Sequence, residues 1–248
     1  MNKYITSEIK NHTAVITLVS DDGLNVINRE ALGELAETAQ MMDMNDSVQA
    51  IVIQGSDKAF STGIDVNEFV QSISSQTTEE MYENFDKIAD LKKPVIAAVN
   101  GYALGIGCEI ALACDIILAS ESACFGHPDL SLGTVPGFGA TQRLVAAVGK
   151  AKAMEMILTG RAMNAREAER CGMISRIVPV RYLRDEALKT AQRISDLPDL
   201  AINTSKELIK TAVSNTNLEE GLEIEKQVYK NSIESEEFRN NLSNMAKK

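Results

Sequence analysis

The stretch from Pro94 to Ser120 is the part of this sequence that most restricts the fold. It is apolar enough to suggest a membrane span, but it contains Asn100, Glu109 and Asp115, and each acid at the centre of a membrane helix costs about 2.5–3.5 kcal/mol to insert. Its first half is typical of a buried β-strand, and the half that follows an Asn-Gly pair is typical of a short helix. The pattern therefore predicts a strand, a turn and a helix in a globular core, and no membrane span.

The charge and composition exclude one broad class of partner. The formal net charge is -10, and an acidic surface repels the phosphate backbone of nucleic acids. The chain has no Trp and only 4% aromatic residues, so a stacking platform for single strands is not expected either. We expect no nucleic-acid partner, although a few local Lys and Arg residues can still bind a small anion.

The four cysteines indicate a reducing compartment. Cys108, Cys114, Cys124 and Cys171 show no C-x-x-C spacing and form no zinc-like set with the two histidines. They are interpreted as buried thiols, so no metal is expected. The N-terminal segment alternates polar and apolar residues and lacks the apolar core of a signal peptide, which predicts a cytoplasmic location.

The order of predicted elements indicates an α/β core followed by helices. Strand patterns occur at Tyr4–Ile9, Thr13–Leu18, Val48–Ile53 and Ile174–Val178, and Asn28 is expected to cap a helix that runs to about Met44. Two further helices are predicted at Ala140–Val148 and Ala151–Leu158. Since only helical patterns follow residue 180, the predicted domains are a core at 1–190 and a helical region at 191–248.

Glu109 is the candidate catalytic residue that the sequence itself singles out. On a helix from Gly105 to Cys114, its neighbours one turn away are glycine or apolar residues, so its carboxyl group does not lie on a solvated face. A buried carboxylate must be paired, hydrogen-bonded or neutral. Two interpretations remain open, namely an acid or base with a shifted pKa and a structural acid bonded to backbone amides.

The segment Gly105-Ile106-Gly107 precedes Glu109 and is rich in glycine. Free N–H groups at a helix N-terminus can bind an oxyanion, whereas close packing of two backbones is the structural alternative. The segment does not match G-x-G-x-x-G, because position 110 is isoleucine, and the chain has no phosphate-binding P-loop motif. No nucleotide cofactor is therefore expected.

Asp129 is the second candidate acid. It follows Pro128, and we expect its backbone to be extended or turned rather than helical. An acid in a surface turn is the structural alternative. His127 also raises the possibility of a Ser-His-Asp triad with Ser61 or Ser131, but no G-x-S-x-G motif supports it.

Several segments together resemble the crotonase (enoyl-CoA hydratase/isomerase) superfamily. They are AFSTGIDVNEF (59–69), KKPVIAAVNGYALGIGCEIALACDIILAS (92–120), FGHPDLSLGTVPGFGATQRL (125–144), VGKAKAMEMILTGRAMNAREAERCGMISRIVP (148–179) and the turn LNVIN (24–28). The resemblance extends from about residue 4 to about residue 210. It implies a spiral of ββα units with a C-terminal helical region that packs in trimers, often paired into hexamers.

The resemblance also implies a substrate and a set of site residues. The substrate is an acyl-CoA thioester, so coenzyme A enters with the substrate and no separate cofactor is expected. The backbone N–H groups of Ile64 and Ile106 match the oxyanion hole. The residues that match positions near CoA and substrate are Leu24, Thr62, Gly63, Asp65, Gly105 and Gly107.

The expected reaction is hydration of a 2-enoyl-CoA to a 3-hydroxyacyl-CoA in lipid metabolism, a lyase reaction. Glu109 matches the first catalytic glutamate of the hydratases, and Asp129 stands where the second one is found. Asp is one methylene shorter than Glu, so another acyl-CoA reaction (isomerisation, hydrolysis or decarboxylation) or a decayed CoA-binding paralogue are the alternatives. Gly137 replaces the extra Asp of dienoyl-CoA isomerases, which disfavours that activity.

Overall fold

The computed structural model describes residues 3–72, 75–214, 217–235, 238–239 and 242. The chain divides into two compact units, Met1–Arg193 and Ile194–Lys248. The strands are β1 (Ile5–Lys10), β2 (Thr13–Leu18), β3 (Ala50–Gln54), β4 (Ala59–Ser61), β5 (Val95–Val99), β6 (Tyr102–Leu104), β7 (Ile116–Ser120), β8 (Cys124–Gly126), β9 (Met163–Asn164) and β10 (Arg176–Val178). The helices are α1 (Arg29–Asp43), α2 (Val66–Ser72), α3 (Ser75–Ala89), α4 (Ile106–Ala113), α5 (Ala140–Thr159), α6 (Ala165–Arg170), α7 (Leu183–Ser195), α8 (Asp199–Ser214) and α9 (Leu218–Glu234).

Two sheets form the framework of the first unit. The larger sheet has the order β1-β2-β3-β5-β7-β10; β1 and β2 are antiparallel and the remaining neighbours are parallel. The smaller sheet has the order β4-β6-β8-β9. β5 is buried along its whole length, as expected for a central parallel strand covered on both faces.

The connection between the two sheets repeats along the chain. β3, β5 and β7 of the larger sheet are each followed by one short strand of the smaller sheet, and helical segments come next. This is a succession of ββα units, which confirms the predicted fold class. The smaller sheet matters for the site because β6 leads directly into α4, the helix that carries Glu109.

Helix α1 shows how the local sequence determines an element. The Asn28 side chain accepts a hydrogen bond from Ala31 N at 2.7 Å, so the predicted N-cap is confirmed. Leu32 and Leu35 have no exposed surface, and burying one such side chain contributes about 1.5–3 kcal/mol. The strands predicted at Tyr4–Ile9 and Thr13–Leu18 are also found, and they form an antiparallel hairpin, β1 and β2.

One local helix prediction is confirmed and one backbone prediction was wrong. The two helices predicted between 140 and 158 lie on either side of a kink at Gly149, whose φ of 76° is not helical, and together they make up α5. Asp129 lies in a 3₁₀ helix, Pro128–Leu132, and not in an extended segment. The reason is that proline restricts the residue before it, His127, whereas at the first position of a helix it is well tolerated.

The second unit contains α8 and α9, which pack on each other. None of the described residues of these two helices is buried. A groove of about 620 Å³ lies in this unit and is lined by side chains that include Leu200, Leu208, Tyr229 and Phe238. Across the described ranges of both units, no helix is long and apolar enough to cross a membrane.

Candidate active site

Glu109 projects from α4 into the interior, and only 1% of its surface is exposed. Its Oε1 accepts two backbone hydrogen bonds, from Phe138 N at 2.8 Å and from Ala140 N at 3.0 Å. Phe138 lies in the segment before α5, and Ala140 is the first residue of α5. Since Oε1 accepts both bonds, neither of them involves the other oxygen, Oε2.

The surroundings of Glu109 shift its pKa to about 7. Burial is the main cause and raises the pKa, because it disfavours the charged form. The two backbone hydrogen bonds lower the pKa, the Asp129 carboxyl group raises it, and the Arg143 guanidinium lowers it. A carboxyl group with a pKa near neutrality can both take up and release a proton during a reaction.

Two glycine segments approach each other beside Glu109. A Cβ atom built on Gly63 would lie 3.0 Å from the carbonyl oxygen of Leu104, and one built on Gly105 would lie 3.9 Å from the Cα of Gly63. Gly105 adopts φ 51° and ψ −126°, a conformation that essentially only glycine adopts. The sequence therefore needs glycine here to bring the two backbones together at the start of α4.

The backbone N–H groups of Ile64 and Ile106 follow these glycines. Among the described residues, neither group donates an intramolecular hydrogen bond. Flanking groups are engaged, for example Thr62 N with Leu24 O at 3.0 Å and Gly105 N with Gly126 O at 2.9 Å. Two free donors beside a helix N-terminus form a site suited to a negatively charged oxygen.

Asp129 and His127 form an unusual buried contact. His127 has no exposed surface, and its Nδ1 lies 3.8 Å from Asp129 Oδ2, which is too far for a hydrogen bond. Within the described structure, both ring nitrogens of His127 and Oδ2 of Asp129 lack a hydrogen-bond partner. Burial lowers the pKa of His127 and Asp129 raises it. Burial is the larger effect, so the pKa lies below its ordinary value of 6.5 and the ring is neutral near pH 7.

The two serines considered for a triad form hydrogen bonds with backbone groups. Ser61 Oγ accepts a hydrogen bond from Gly63 N at 3.2 Å, and Ser131 Oγ donates to Pro128 O at 2.6 Å. Neither serine bonds to His127. The geometry does not support a Ser-His-Asp triad.

This arrangement coincides with a match to a known protein family. The family model described as enoyl-CoA hydratase/isomerase matches residues 8–248, which is nearly the whole chain. The chain belongs to the enoyl-CoA hydratase/isomerase family. The resemblance expected from the sequence motifs is thereby confirmed.

Individual family members are similar over most of their length. A protein of Mycobacterium tuberculosis named as a probable enoyl-CoA hydratase is 40% identical over 94% of this chain and 91% of its own. The mitochondrial enoyl-CoA hydratase of Pongo abelii is 40% identical over 92% of this chain and 79% of its own. A solved structure of an enoyl-CoA hydratase subunit from Geobacillus kaustophilus superimposes with a TM-score of 0.93 at 34% identity, covering 99% of this chain and 95% of that one.

The remaining residues predicted to be near CoA or substrate lie on three segments, namely the turn at 24–28, the segment around Gly63 and helix α4. Leu24 is partly exposed. Its carbonyl oxygen accepts hydrogen bonds from the backbone N–H and from the hydroxyl group of Thr62. Asp65 accepts a hydrogen bond from Glu68 N at 3.0 Å and so caps α2. Gly107 is buried, and a Cβ there would lie 2.7 Å from the Cβ of Ser61. For Asp65 and Gly107, a structural contact is thus visible in addition to the predicted role.

Some residues that shape this family site were not singled out from the sequence. The Asn25 side chain donates to the carbonyl oxygens of Ala59 and Phe60, at 2.9 and 3.2 Å, and so ties the turn at 24–28 to β4. Phe138 and Ala140 contribute through their backbones only, so their side chains gave no signal. For Asn25 a signal existed, because a buried asparagine in a turn usually bonds to the backbone.

The cysteines and metal ligands complete the inventory of reactive groups. All four cysteines are free thiols; Cys108 is buried and the other three are partly buried. Burial raises the pKa of the Cys108 thiol well above its usual range. In the part of the chain that the structure describes, no three His, Cys, Asp or Glu side chains cluster in a way that could hold a metal ion.

Proposed function

We propose that this protein is an enoyl-CoA hydratase that uses Glu109 and Asp129 as its acid/base pair. The observation that carries the proposal is the Glu109 carboxyl group, which is almost fully buried and accepts two backbone hydrogen bonds through one oxygen, while Asp129 raises its pKa. The names of the relatives above support the same reaction class.

The thioester oxygen of the substrate binds the backbone N–H groups of Ile64 and Ile106. Support comes from the absence of an intramolecular acceptor for either group among the described residues, and from their position beside the N-terminus of α4. As the reaction proceeds, this oxygen gains the charge of an enolate. One well-placed donor of this kind contributes about 2.7–4 kcal/mol to the transition state in other enzymes.

The two carboxyl groups make the proton transfers of the reaction. The water oxygen becomes bonded to one carbon of the double bond, and a proton becomes bonded to the other. Ionised Glu109 accepts a proton through Oε2 while the water oxygen forms a bond to the β-carbon of the enoyl group. The π-electrons move to the thioester oxygen, and the one proton that the carboxyl pair holds in the reacting state passes from Asp129 to the α-carbon. The product is a 3-hydroxyacyl-CoA, and return of the Glu109 proton to Asp129 through water restores the starting state.

The remaining predicted contacts concern the CoA part of the substrate. Leu24, Thr62 and Asp65 lie on the two segments that join at the backbone bridge between Ile27 and Ile64, and this supports a role in binding the thioester arm. The proposed reaction needs no further cofactor, because every proton transfer is made by the two carboxyl groups. The predicted cytoplasmic location stays a prediction.

Incubation with short-chain and medium-chain 2-enoyl-CoA thioesters is the test of this function. We expect the ultraviolet absorbance of the conjugated enoyl thioester to fall and the product mass to increase by one water. The Asp129→Asn variant should lower kcat by about 10²-fold or more, because it cannot donate the α-carbon proton. Asp46→Asn, which changes an exposed acid, is the matched control and should have the activity of the wild type.

The same product analysis separates the alternatives. An isomerase moves the double bond and leaves the mass unchanged, and a hydrolase releases free CoA. A decarboxylase releases carbon dioxide from a carboxylated acyl-CoA, which is added to the set of substrates for this purpose. Unchanged substrate in every reaction would instead indicate a decayed paralogue and would contradict the proposal. The Asp129→Glu variant then measures the effect of the shorter side chain, since an increase in kcat would show that the reach of Asp129 limits the rate.

The proposed enzyme is a homotrimer or a dimer of trimers, assembled through the helices of the second unit. Large apolar side chains of α8 and α9 are exposed, including Leu200, Ile209, Val213, Leu222 and Tyr229. Exposed apolar patches of this kind mark interaction surfaces. The groove between the two helices is a suitable contact surface for another copy of the chain.

Light scattering measures this assembly directly. We expect a molar mass in solution of three or six times that of one chain. The Leu200→Asp variant should shift the distribution toward smaller species, because it places a charge in the groove. A wild-type protein that remains monomeric at micromolar concentration would contradict the assembly without affecting the proposed chemistry.

A further inference from the structure

The loop that holds Glu109 is itself held by Arg143. Arg143 Nη1 donates a hydrogen bond to the carbonyl oxygen of Phe138 at 2.8 Å. The N–H of the same residue, Phe138, donates to Glu109 Oε1 at 2.8 Å. Phe138 is therefore fixed at both ends of its backbone, and one fixed end directs the catalytic carboxyl group.

Aromatic packing holds the side chain of Phe138 in the same place. Its ring centroid lies 5.1 Å from that of Tyr82 and 5.4 Å from that of Phe85. The guanidinium of Arg143 stacks over the Phe85 ring at 5.3 Å, an arrangement that favours arginine over lysine. Arg143 thus joins α3, α5 and the loop before α5.

The backbone next to Phe138 leaves room for this guanidinium. Gly139 has a φ of 98°, and a Cβ built there would lie 1.9 Å from Arg143 Nη1. Any other residue at position 139 would have to displace the arginine. The glycine and the arginine therefore form one structural unit.

The charge of Arg143 also acts on Glu109. Among the described residues, the charged groups that act on the pKa of Glu109 include Asp129 on the 3₁₀ helix, which raises it, and Arg143 on α5, which lowers it. Arg143 is the positive charge in this set, and it counteracts the effects of burial and of the second acid. Without it, Glu109 would be less ionised at neutral pH.

We propose that Arg143 is a positioning residue for Glu109, which fixes the N–H group of Phe138 against the carboxyl oxygen by binding the carbonyl oxygen of the same residue. The proposal rests on the hydration mechanism given above. It assigns Arg143 no contact with the substrate. Its effect should therefore appear in kcat and in the pH profile, and not in substrate binding.

The test compares Arg143→Gln, Arg143→Lys and the wild type in hydration assays across pH. For Arg143→Gln we expect kcat to fall by about 10- to 100-fold with KM changed less than about threefold, because small displacements of a catalytic group reduce the rate by such factors. The acidic limb of the kcat profile should move to higher pH. Arg143→Lys keeps the charge, so its limb should stay near that of the wild type although kcat falls.

A second readout does not depend on turnover. The carboxyl resonance of Glu109 in ¹³C-glutamate-labelled protein, assigned with Glu109→Gln, should titrate at higher pH in Arg143→Gln than in the wild type. If the wild type does not hydrate enoyl-CoA but this shift occurs, the proposed function fails and the positioning role stands. If the wild type is active and neither kcat nor the titration changes, the positioning role fails.

Two further outcomes are informative. A variant that raises KM alone would show that Arg143 binds the substrate, which would overturn the proposal. Arg166→Gln, which removes an exposed arginine from α6, is the matched control and should leave kcat, KM and the titration unchanged. If Arg143→Gln does not fold, Arg143→Lys still tests the proposal, since kcat equal to that of the wild type would contradict a specific guanidinium contact with the loop.

Discussion

Replacing Glu109 with glutamine is expected to lower kcat for enoyl-CoA hydration by about 10²–10⁴-fold, the range observed for loss of a general acid or base. The geometry makes this a clean substitution. Glutamine can still offer its Oε1 to Phe138 N and Ala140 N, so the loop keeps both of its hydrogen bonds. Only the group at the position of Oε2 changes, from a proton acceptor to an amide that cannot accept the proton from water. Steady-state kinetics with a short-chain enoyl-CoA measures the effect.

The pH dependence distinguishes this loss from a general disturbance. Glu109 has a pKa of about 7 and must be ionised to accept a proton, so kcat of the wild type should rise through an acidic limb near pH 7. The residual activity of Glu109→Gln should lack that limb. If kcat of the variant were within a factor of three of the wild type, Glu109 would not be the base of this reaction.

Glu109→Gln should increase the stability of the folded protein at high pH, although it lowers the activity. The pKa of Glu109 is higher in the folded state than its ordinary value of 4.5, so the folded state holds this proton more tightly than the unfolded state. Stability should therefore fall as pH rises from about 4.5 to about 7, and above that it is lower by about 3 kcal/mol. Glu109→Gln removes this loss, and urea denaturation at pH 8 should show a more stable variant.

Replacing Gly105 with alanine is expected to lower kcat/KM by about 10²–10³-fold, comparable to the loss of one oxyanion donor. Gly105 adopts φ 51° and ψ −126°, and a non-glycine residue held there is strained by about 1–3 kcal/mol. The backbone will relieve that strain by rotating, and the N–H of Ile106 will then no longer point at the thioester oxygen. Kinetics and thermal denaturation of the same preparation separate the two effects.

A matched substitution controls for the exchange itself. Gly221 lies within α9, and a Cβ built there meets no atom within 4 Å. Gly221→Ala should therefore keep full activity and unchanged or slightly increased stability, because alanine favours a helix more than glycine does. An active Gly105→Ala protein with the kinetics of the wild type would refute the proposed role of the Ile106 N–H group.

Glu109 could be identified from the sequence because its position is chemically improbable. A carboxyl group surrounded by Gly105, Ile106 and Leu112 on a short apolar helix has to be buried, and burial of an acid needs an explanation. The periodic patterns of α1 and of the first hairpin were equally direct. In these cases the interactions that determine the structure are local, so they can be inferred from the spacing of residue types.

Other parts of the site depend on contacts between residues distant in the sequence, which cannot be inferred from the spacing of residue types. The strands of the smaller sheet are two or three residues long, too short for an alternating pattern, yet β6 leads into α4. Arg143 lies in sequence next to ordinary polar residues, and its importance follows only from the fold of the preceding loop. The prediction that the backbone at Asp129 is extended or turned was wrong, because Pro128 begins a 3₁₀ helix that includes this residue.

The backbone hydrogen bonds to Glu109 have a consequence for the evolution of this protein. In the proposed mechanism, the acid and the thioester oxygen are both held by main-chain N–H groups, which every amino acid except proline provides. The side chain of Ile64 can then vary without removing a donor. Substitutions at this position can therefore change the surroundings of the thioester while the catalytic hydrogen bonds are retained.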